Sequence, residues 1–157
     1  MLAQTISLRT ANQRDSQALL AWRNDAETIQ NSISKKAVDS ASHDVWFTKI
    51  LSNSACLLFI GEVQGNRIGM VRFDLSSNQK GTGLRGLVNI NIAPQVRGQG
   101  YGKALLATTI QKLDARVSSL EAVVLASNWQ SQNLFKSLKF ERIDKLKDRI
   151  IYQLLLS

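Results

Sequence analysis

The sequence predicts one α/β domain built on a mixed central sheet of six to seven strands with about four helices. Three observations carry this expectation. Segments of strand and helix periodicity follow one another in the order β-α-α-β-β-β-α-β-α-β-β. The fourth strand runs through a glycine-rich loop into a helix and then into a buried-type strand, a unit whose two strands should lie parallel across a right-handed crossover. The 157 residues, 44% of them hydrophobic, suffice for one core and leave no room for another, so residues 1–157 are read as a single domain.

Taken in order, Ile6-Ser7-Leu8-Arg9 alternates as a short first strand, and Asp15 offers an N-cap to a helix whose Ala18, Leu19 and Trp22 share a face. Asn31, Ser32, Ser34 and Lys35 break any pattern, so a polar loop is expected after Trp22. A second helix is expected from about Ser40 to Leu51, with Val45, Trp46, Phe47 and Ile50 as an apolar stripe behind His43 and Asp44. Leu57 through Val63 and Ile68 through Leu75 flank the turn formers Gln64-Gly65-Asn66 and read as a hairpin. Ser76 through Gly86 lacks apolar periodicity and is expected to be a mobile connection to a fourth strand, Leu87 through Ile92. A helix from Tyr101 to about Arg116 rests on Ala104, Leu105, Ala107, Thr108 and Leu113; Glu121 through Leu125 is the next strand. Ser131 through Leu138 reads as a short helix, and Phe140 through Lys145 pairs with Arg149 through Leu156 in a closing hairpin.

Composition narrows the function classes. Twenty Lys and Arg against twelve Asp and Glu give a net charge of +8, which suits an anionic partner. The basic residues are scattered, and Glu141, Asp144 and Asp148 interrupt the densest set, Lys136 to Arg149, so a phosphate-rich small molecule explains the excess better than nucleic acid. No apolar run approaches the ~20 residues of a membrane span, and Met1-Leu2-Ala3-Gln4-Thr5 lacks a basic segment followed by an apolar one, so no membrane partner and a cytoplasmic location are expected. Cys56, the single cysteine, lies in an apolar run and reads as a buried, inert thiol; with one histidine besides, no metal site is expected.

The chemistry centres on Arg97-Gly98-Gln99-Gly100-Tyr101-Gly102-Lys103. The three glycines remove Cβ atoms where successive amide N–H groups must turn inward, and the helix behind adds its partial positive end, a combination suited to a pyrophosphate. A Walker loop would need a hydroxyl where Ala104 stands, and the glycines are spaced too tightly for a dinucleotide-binding loop. The remaining pattern, Gln95-x-x-Gly98-x-Gly100 after a strand, resembles the acetyl-CoA loop of the GNAT N-acetyltransferases, and the element order resembles that family along the whole chain.

The resemblance implies that the fourth and fifth strands splay apart to admit pantetheine. Ile90, Asn91, Ile92 and Ala93 would then line pantetheine, and Arg97, Gly98, Gln99, Gly100, Tyr101, Gly102 and Lys103 would hold the pyrophosphate of acetyl-CoA. The run from Asn128 to Phe140 matches the family pattern N-x-x-S-x-x-L-[YF]-x-x-L-G-F and puts Asn128 and Phe135 at cofactor-facing positions. It departs from the pattern twice. Phe135 replaces a tyrosine that protonates the departing thiolate in many members, so another acid or water must serve. Lys139 replaces a glycine, with a left-handed backbone cost unless the turn differs, so a local alteration at that helix end is expected.

Leu20-Ala21-Trp22-Arg23-Asn24-Asp25, His43-Asp44-Val45-Trp46-Phe47 and Gly69-Met70-Val71-Arg72-Phe73-Asp74 are similar to motifs of the subgroup that acetylates the 4-amino group of a UDP-linked dideoxy amino sugar in pseudaminic acid biosynthesis. Trp22, Arg23, Asn24, His43, Trp46 and Arg72 would then bind the acceptor, a small-molecule amine on a nucleotide sugar, and His43 or Asp74, with Glu62 a third candidate, would serve as base. Core packing explains the two tryptophans equally well, salt bridging explains Arg23, Asp25 and Asp74, and helix capping or packing explains His43. A protein N-terminus or amino acid as acceptor, as in ribosomal-protein acetyltransferases, and a non-catalytic CoA-binding module are the competing readings. The oligomeric state stays open, a homodimer included.

Overall fold

The computed structural model describes residues 5–79 and 81–156. The start read for a leader (residues 1–4), Lys80 within the connection after the third strand, and residue 157 lie outside them.

Seven strands form one sheet in the order β1-β2-β3-β4-β5-β7-β6, where β1 is Ser7–Thr10, β2 Cys56–Val63, β3 Asn66–Ser77, β4 Leu84–Ile92, β5 Val117–Leu125, β6 Glu141–Leu146 and β7 Arg149–Leu155. All neighbours are antiparallel except β4 and β5, the parallel pair expected of the β-α-β unit. Among the described residues five α-helices complete the fold: α1 Ser16–Arg23, α2 Ala26–Gln30, α3 Ser40–Ser52, α4 Tyr101–Gln111 and α5 Trp129–Ser137.

Strand alternation divides the apolar residues between two cores, one on each face of the sheet. Leu58, Ile60 and Met70 pack with Leu19 and Trp22 of α1 and Phe47 of α3. Val71, Phe73, Val88, Leu120, Ala122 and Val124 pack on the other face with Leu105 and Leu106 of α4 and Phe135 of α5.

Several expectations need correction. The loop expected after Trp22 contains α2, five residues with none buried, which begins where the Asp25 carboxylate accepts a hydrogen bond from the Thr28 amide. The buried positions of α3 are His43 and Phe47, four residues apart, while Val45 is 59% exposed because it falls between the two turns of the stripe. Asp15 gives α1 no side-chain cap. It is fully buried and accepts from Arg9 (2.7 and 2.8 Å), Arg67 (2.7 Å) and the Asn12 amide (2.8 Å), fastening β1 and β3 to the short 3-10 turn Gln13–Asp15. The connection between β3 and β4 is shorter than expected: β3 continues to Ser77 and β4 already starts at Leu84, with Gly86 inside the strand where a Cβ would stand 2.9 Å from Leu120. α4 stops at Gln111, and a turn closed by Asp114 on the Arg116 amide (2.8 Å) lets β5 begin at Val117.

Lys139 adopts φ +71°, so the left-handed turn persists without glycine. The Phe140 amide donates to Phe135 O (3.0 Å) and the Lys139 amide to Lys136 O (3.0 Å), the paired bonds of a Schellman ending, with Phe135 and Phe140 in edge contact at 5.1 Å. The anticipated local alteration is absent; the lysine carries the strain instead.

Candidate active site

Parallel pairing of β4 with β5 runs from Leu84–Val117 to Leu87–Glu121, and beyond it the strands part. A cavity of about 1070 Å³ opens there, lined on one side by Val88 to Ile92 and on the other by Ala122 to Leu125. The Ala93 amide donates to Ile68 O (2.8 Å) on β3. With Gly69 opposite Ile92 and Met70 opposite Asn91, strand alternation turns the N–H groups of Val88, Ile90 and Ile92 away from β3 and toward the gap. A chain bearing amide groups fits this edge. Ile90, Asn91 and Ile92 line the cavity, whereas Ala93 is buried in the α1–α3 core.

At the end of β4 a 3-10 turn, Pro94–Val96, delivers the chain to the glycine loop. Gly98 and Gly100 have φ of +75° and +84°, and nothing lies within 4 Å of where a Cβ would point, so the concavity they face is open. Gly100 is also the N-cap of α4 and has no capping side chain, which leaves the helix's first turn turned toward that concavity. Gly98, Gly100, Tyr101 and Gly102 line the cavity; Gln99 and Lys103 are exposed and do not. Shape and donor set fit a pyrophosphate. Across the gap, Asn128 lines the cavity while its amide caps α5, accepting from the Ser131 N–H (3.2 Å), and Phe135 presents an apolar wall stacked on Tyr152. Gln132, not singled out in the sequence, is buried and donates from Nε2 to Leu125 O (3.2 Å) and Ala126 O (2.8 Å), anchoring α5 to the end of β5.

The rest of the cavity joins apolar walls, Leu19, Ile33, Val38, Met70 and Val96, to a polar chamber. Arg23, Glu27, Thr28, Ser34, His43, Trp46, Arg72 and Asn91 line it. His43 is 3% exposed, stacks on Phe47 at 5.7 Å, and leaves Nδ1 buried without a partner among the described residues. Burial lowers its pKa below the ordinary 6.5, against an opposing pull from Asp44, so the ring is neutral at pH 7. It does not cap α3; Asp39 does, through the Ser42 amide (2.8 Å). The Arg72 guanidinium lies 5.4 Å from the Trp46 ring centre and donates to Asp74 (3.1 Å). Arg23 donates from Nη2 to Ser34 Oγ (3.1 Å), and its Nη1 is buried with no partner among the described residues.

Other sequence candidates lie elsewhere. Trp22 is 6% exposed in the core. Asn24 spends its amide on both backbone groups of Val38 (2.7 Å each), closing the loop before α3. Asp74 is outside the cavity lining, bonded to Arg72 and to Cys56 Sγ (3.4 Å), a thiol that burial, reinforced by Asp74, pushes up to about 12. Glu62 pairs with Arg9 (3.2 Å). The Arg97 guanidinium turns to α2 and the end of β4, leaving its residue's backbone at the glycine loop.

A slot between splayed strands, with a diphosphate-sized cradle at one end and a polar chamber at the other, fits a class of protein that holds a long cofactor with an amide-bearing arm and a pyrophosphate, as coenzyme A has. The family model described as "Acetyltransferase (GNAT) domain" matches residues 5–141, and the chain belongs to that family. It is an N-acetyltransferase with acetyl-CoA as co-substrate. Solved structures agree in fold. Ribosomal-protein-alanine N-acetyltransferase from Brucella melitensis aligns at 23% identity over 96% of this chain and 99% of that one, with a TM-score of 0.77. An aminoglycoside acetyltransferase in complex with coenzyme A and kanamycin gives 17%, 96%, 95% and 0.81, and N-acetyltransferase PseH from Campylobacter jejuni gives 18%, 97%, 99% and 0.71. Comparison with curated proteins found no match. Among the described residues, no helix is long and apolar enough to cross a membrane.

Proposed function

We propose that the acceptor is an amine carried on an anionic molecule, namely the 4-amino group of a UDP-linked dideoxy amino sugar. One observation carries this reading: the polar chamber holds Arg23, with a buried unpartnered Nη1, and Arg72, while its one lining carboxylate among the described residues, Glu27, is bound by Arg97 at 2.9 Å. An unpaired buried guanidinium N–H is costly, and a diphosphate or ring hydroxyl would relieve that cost. A polycationic amine would meet two arginines and no free carboxylate. The sugar ring has Trp46 to lie against.

Transfer is direct. The neutral amine nitrogen attacks the acetyl carbonyl, a C–N bond forms and the C–S bond breaks, and one gap-facing N–H of β4 receives the developing oxyanion while its neighbours pair with the pantetheine arm. The ammonium proton leaves through water beside the neutral His43, and the thiolate takes a proton from water, since Phe135 has none to give. Val88, Ile90 and Ile92, the loop from Gly98 to Gly102 and the α5 wall hold the donor; Arg23, His43, Trp46 and Arg72 hold the acceptor.

The test is a panel of acceptors with acetyl-CoA, following free thiol and acetylated product: UDP-4-amino-4,6-dideoxy sugars, peptides with free N-termini, and kanamycin. The sugar nucleotide should give the highest kcat/KM, and Arg23→Ala should lower that value about 30-fold or more, the scale of a lost charged hydrogen bond. Turnover of a peptide N-terminus with none of the sugar nucleotides would reject the reading in favour of protein acetylation.

A further inference from the structure

One side chain joins the two halves of the site. Arg97 is the residue before Gly98, so its backbone opens the glycine loop. Its guanidinium reaches the other way, donating to Asp25 (2.7 Å), Glu27 (2.9 Å) and Thr28 Oγ1 (2.9 Å) on and before α2, and to Ile92 O (3.2 Å) and Asn91 Oδ1 (3.5 Å) at the end of β4. Thr28 Oγ1 in turn donates to Asn91 Oδ1 at 3.4 Å. Glu27 and Thr28 line the polar chamber, so α2 is part of its wall. This helix has little else to hold it: five residues, none buried. Asp25 is held below the usual carboxylate range, foremost by its bond from Arg97, so it remains a charged partner at neutral pH.

We propose that Arg97 is a positioning residue that couples the two substrate sites, fastening α2 to the glycine loop so that acetyl-CoA on the loop orders the wall against which the acceptor sits. The loop beyond Arg97 contains two residues of positive φ, Gly98 and Gly100, whose freedom a bound pyrophosphate would restrict. Restriction on one side of Arg97 limits motion of the guanidinium and of the helix it grips on the other. Such coupling is reciprocal: if acetyl-CoA tightens the acceptor by some factor, the acceptor tightens acetyl-CoA by the same factor. The inference rests on the site and family, and holds whichever amine is the acceptor.

Hydrogen exchange with CoA alone tests it without reference to the acceptor. In the wild-type chain, saturating CoA should slow exchange of the amides in residues 26–31 about fivefold. Arg97→Gln should bind CoA within about threefold of wild type by calorimetry, lose that protection, and raise the KM of whichever acceptor is turned over about tenfold while kcat changes less. Arg97→Lys, which keeps the charge but not the fork, should fall between. Exchange in α2 indifferent to CoA in the wild type, or full protection surviving in Arg97→Gln, would overturn the proposal. A loss of CoA affinity as large as that of a glycine-loop variant would do so too, by making Arg97 a pyrophosphate ligand. Should Arg97→Gln fail to fold, Glu27→Ala removes the ion pair on the far side and Thr28→Val the hydroxyl that accepts from Arg97 and donates to Asn91, and unchanged α2 protection in both would be decisive against it.

Discussion

Phe135 stands 3% exposed between the edge of Phe140 and the face of Tyr152, so its loss empties the wall of the donor slot and part of the core together. Phe135→Ala should raise the acetyl-CoA KM about tenfold and cost roughly 3 kcal/mol of stability, whereas Phe135→Tyr should retain activity; steady-state kinetics with chemical denaturation checks both. His43 divides differently. Burial depresses its folded pKa, so the unfolded chain binds the extra proton first, and the stability this ring contributes is present above about pH 6.5 and lost as pH falls through its lowered folded value. His43→Ala should raise the acceptor KM and lower kcat by less than the roughly 10² to 10⁴ expected of a lost general base; a kcat loss of that size, with the acid limb of the pH profile removed, would reassign it to proton transfer. What the sequence made legible at this scale was residue type. Local pattern marked Arg23 and His43, but the buried Nη1 and Nδ1 depend on packing from other elements, and Asn24 looked like a ligand because its bonds to Val38 lie fourteen residues away.

At the scale of elements, long periodic segments were readable and short polar ones were not. The strands other than the exposed β6 and the four longer helices announce themselves by apolar spacing, and the triple-glycine run marks the start of α4. α2 does not, because a helix with no buried face has no apolar period to show; only Asp25 as cap hints at it. Gly100→Val should raise the acetyl-CoA KM at least tenfold with the fold retained: the added Cβ meets no protein atom, but φ +84° is strained for a β-branched residue and the side chain enters the open cradle. Unchanged CoA affinity by calorimetry would displace the pyrophosphate from this loop. Lys139→Gly should act oppositely, gaining about 1 kcal/mol by relieving the left-handed lysine while both terminal bonds of α5 persist; the denaturant midpoint reports it.

At the scale of the molecule, the edge strand β1 is pinned to the sheet by a buried carboxylate. Burial alone would raise the Asp15 pKa, yet Arg9, the Asn12 amide and Arg67 together hold it at about 2. Its stabilisation, about 2 kcal/mol by linkage, is therefore present above the unfolded value of 3.8 and lost as pH falls toward 2. Asp15→Ala should cost about 3 kcal/mol at pH 7 and flatten the acid limb of the stability curve, measured by urea denaturation from pH 2 to 7. The partners of this pin are six and fifty-two residues distant, which is why the sequence suggested a helix cap. The parted strands have a broader meaning. Four residue pairs, Leu84–Val117 to Leu87–Glu121, stitch the β1-to-β4 half of the sheet to the β5-β7-β6 half, and the seam then lies open along the rest of β4. An acyl donor with its amide-bearing arm along Val88, Ile90 and Ile92 would supply the missing stitches, and in that complex the cargo would be a length of the protein's own architecture.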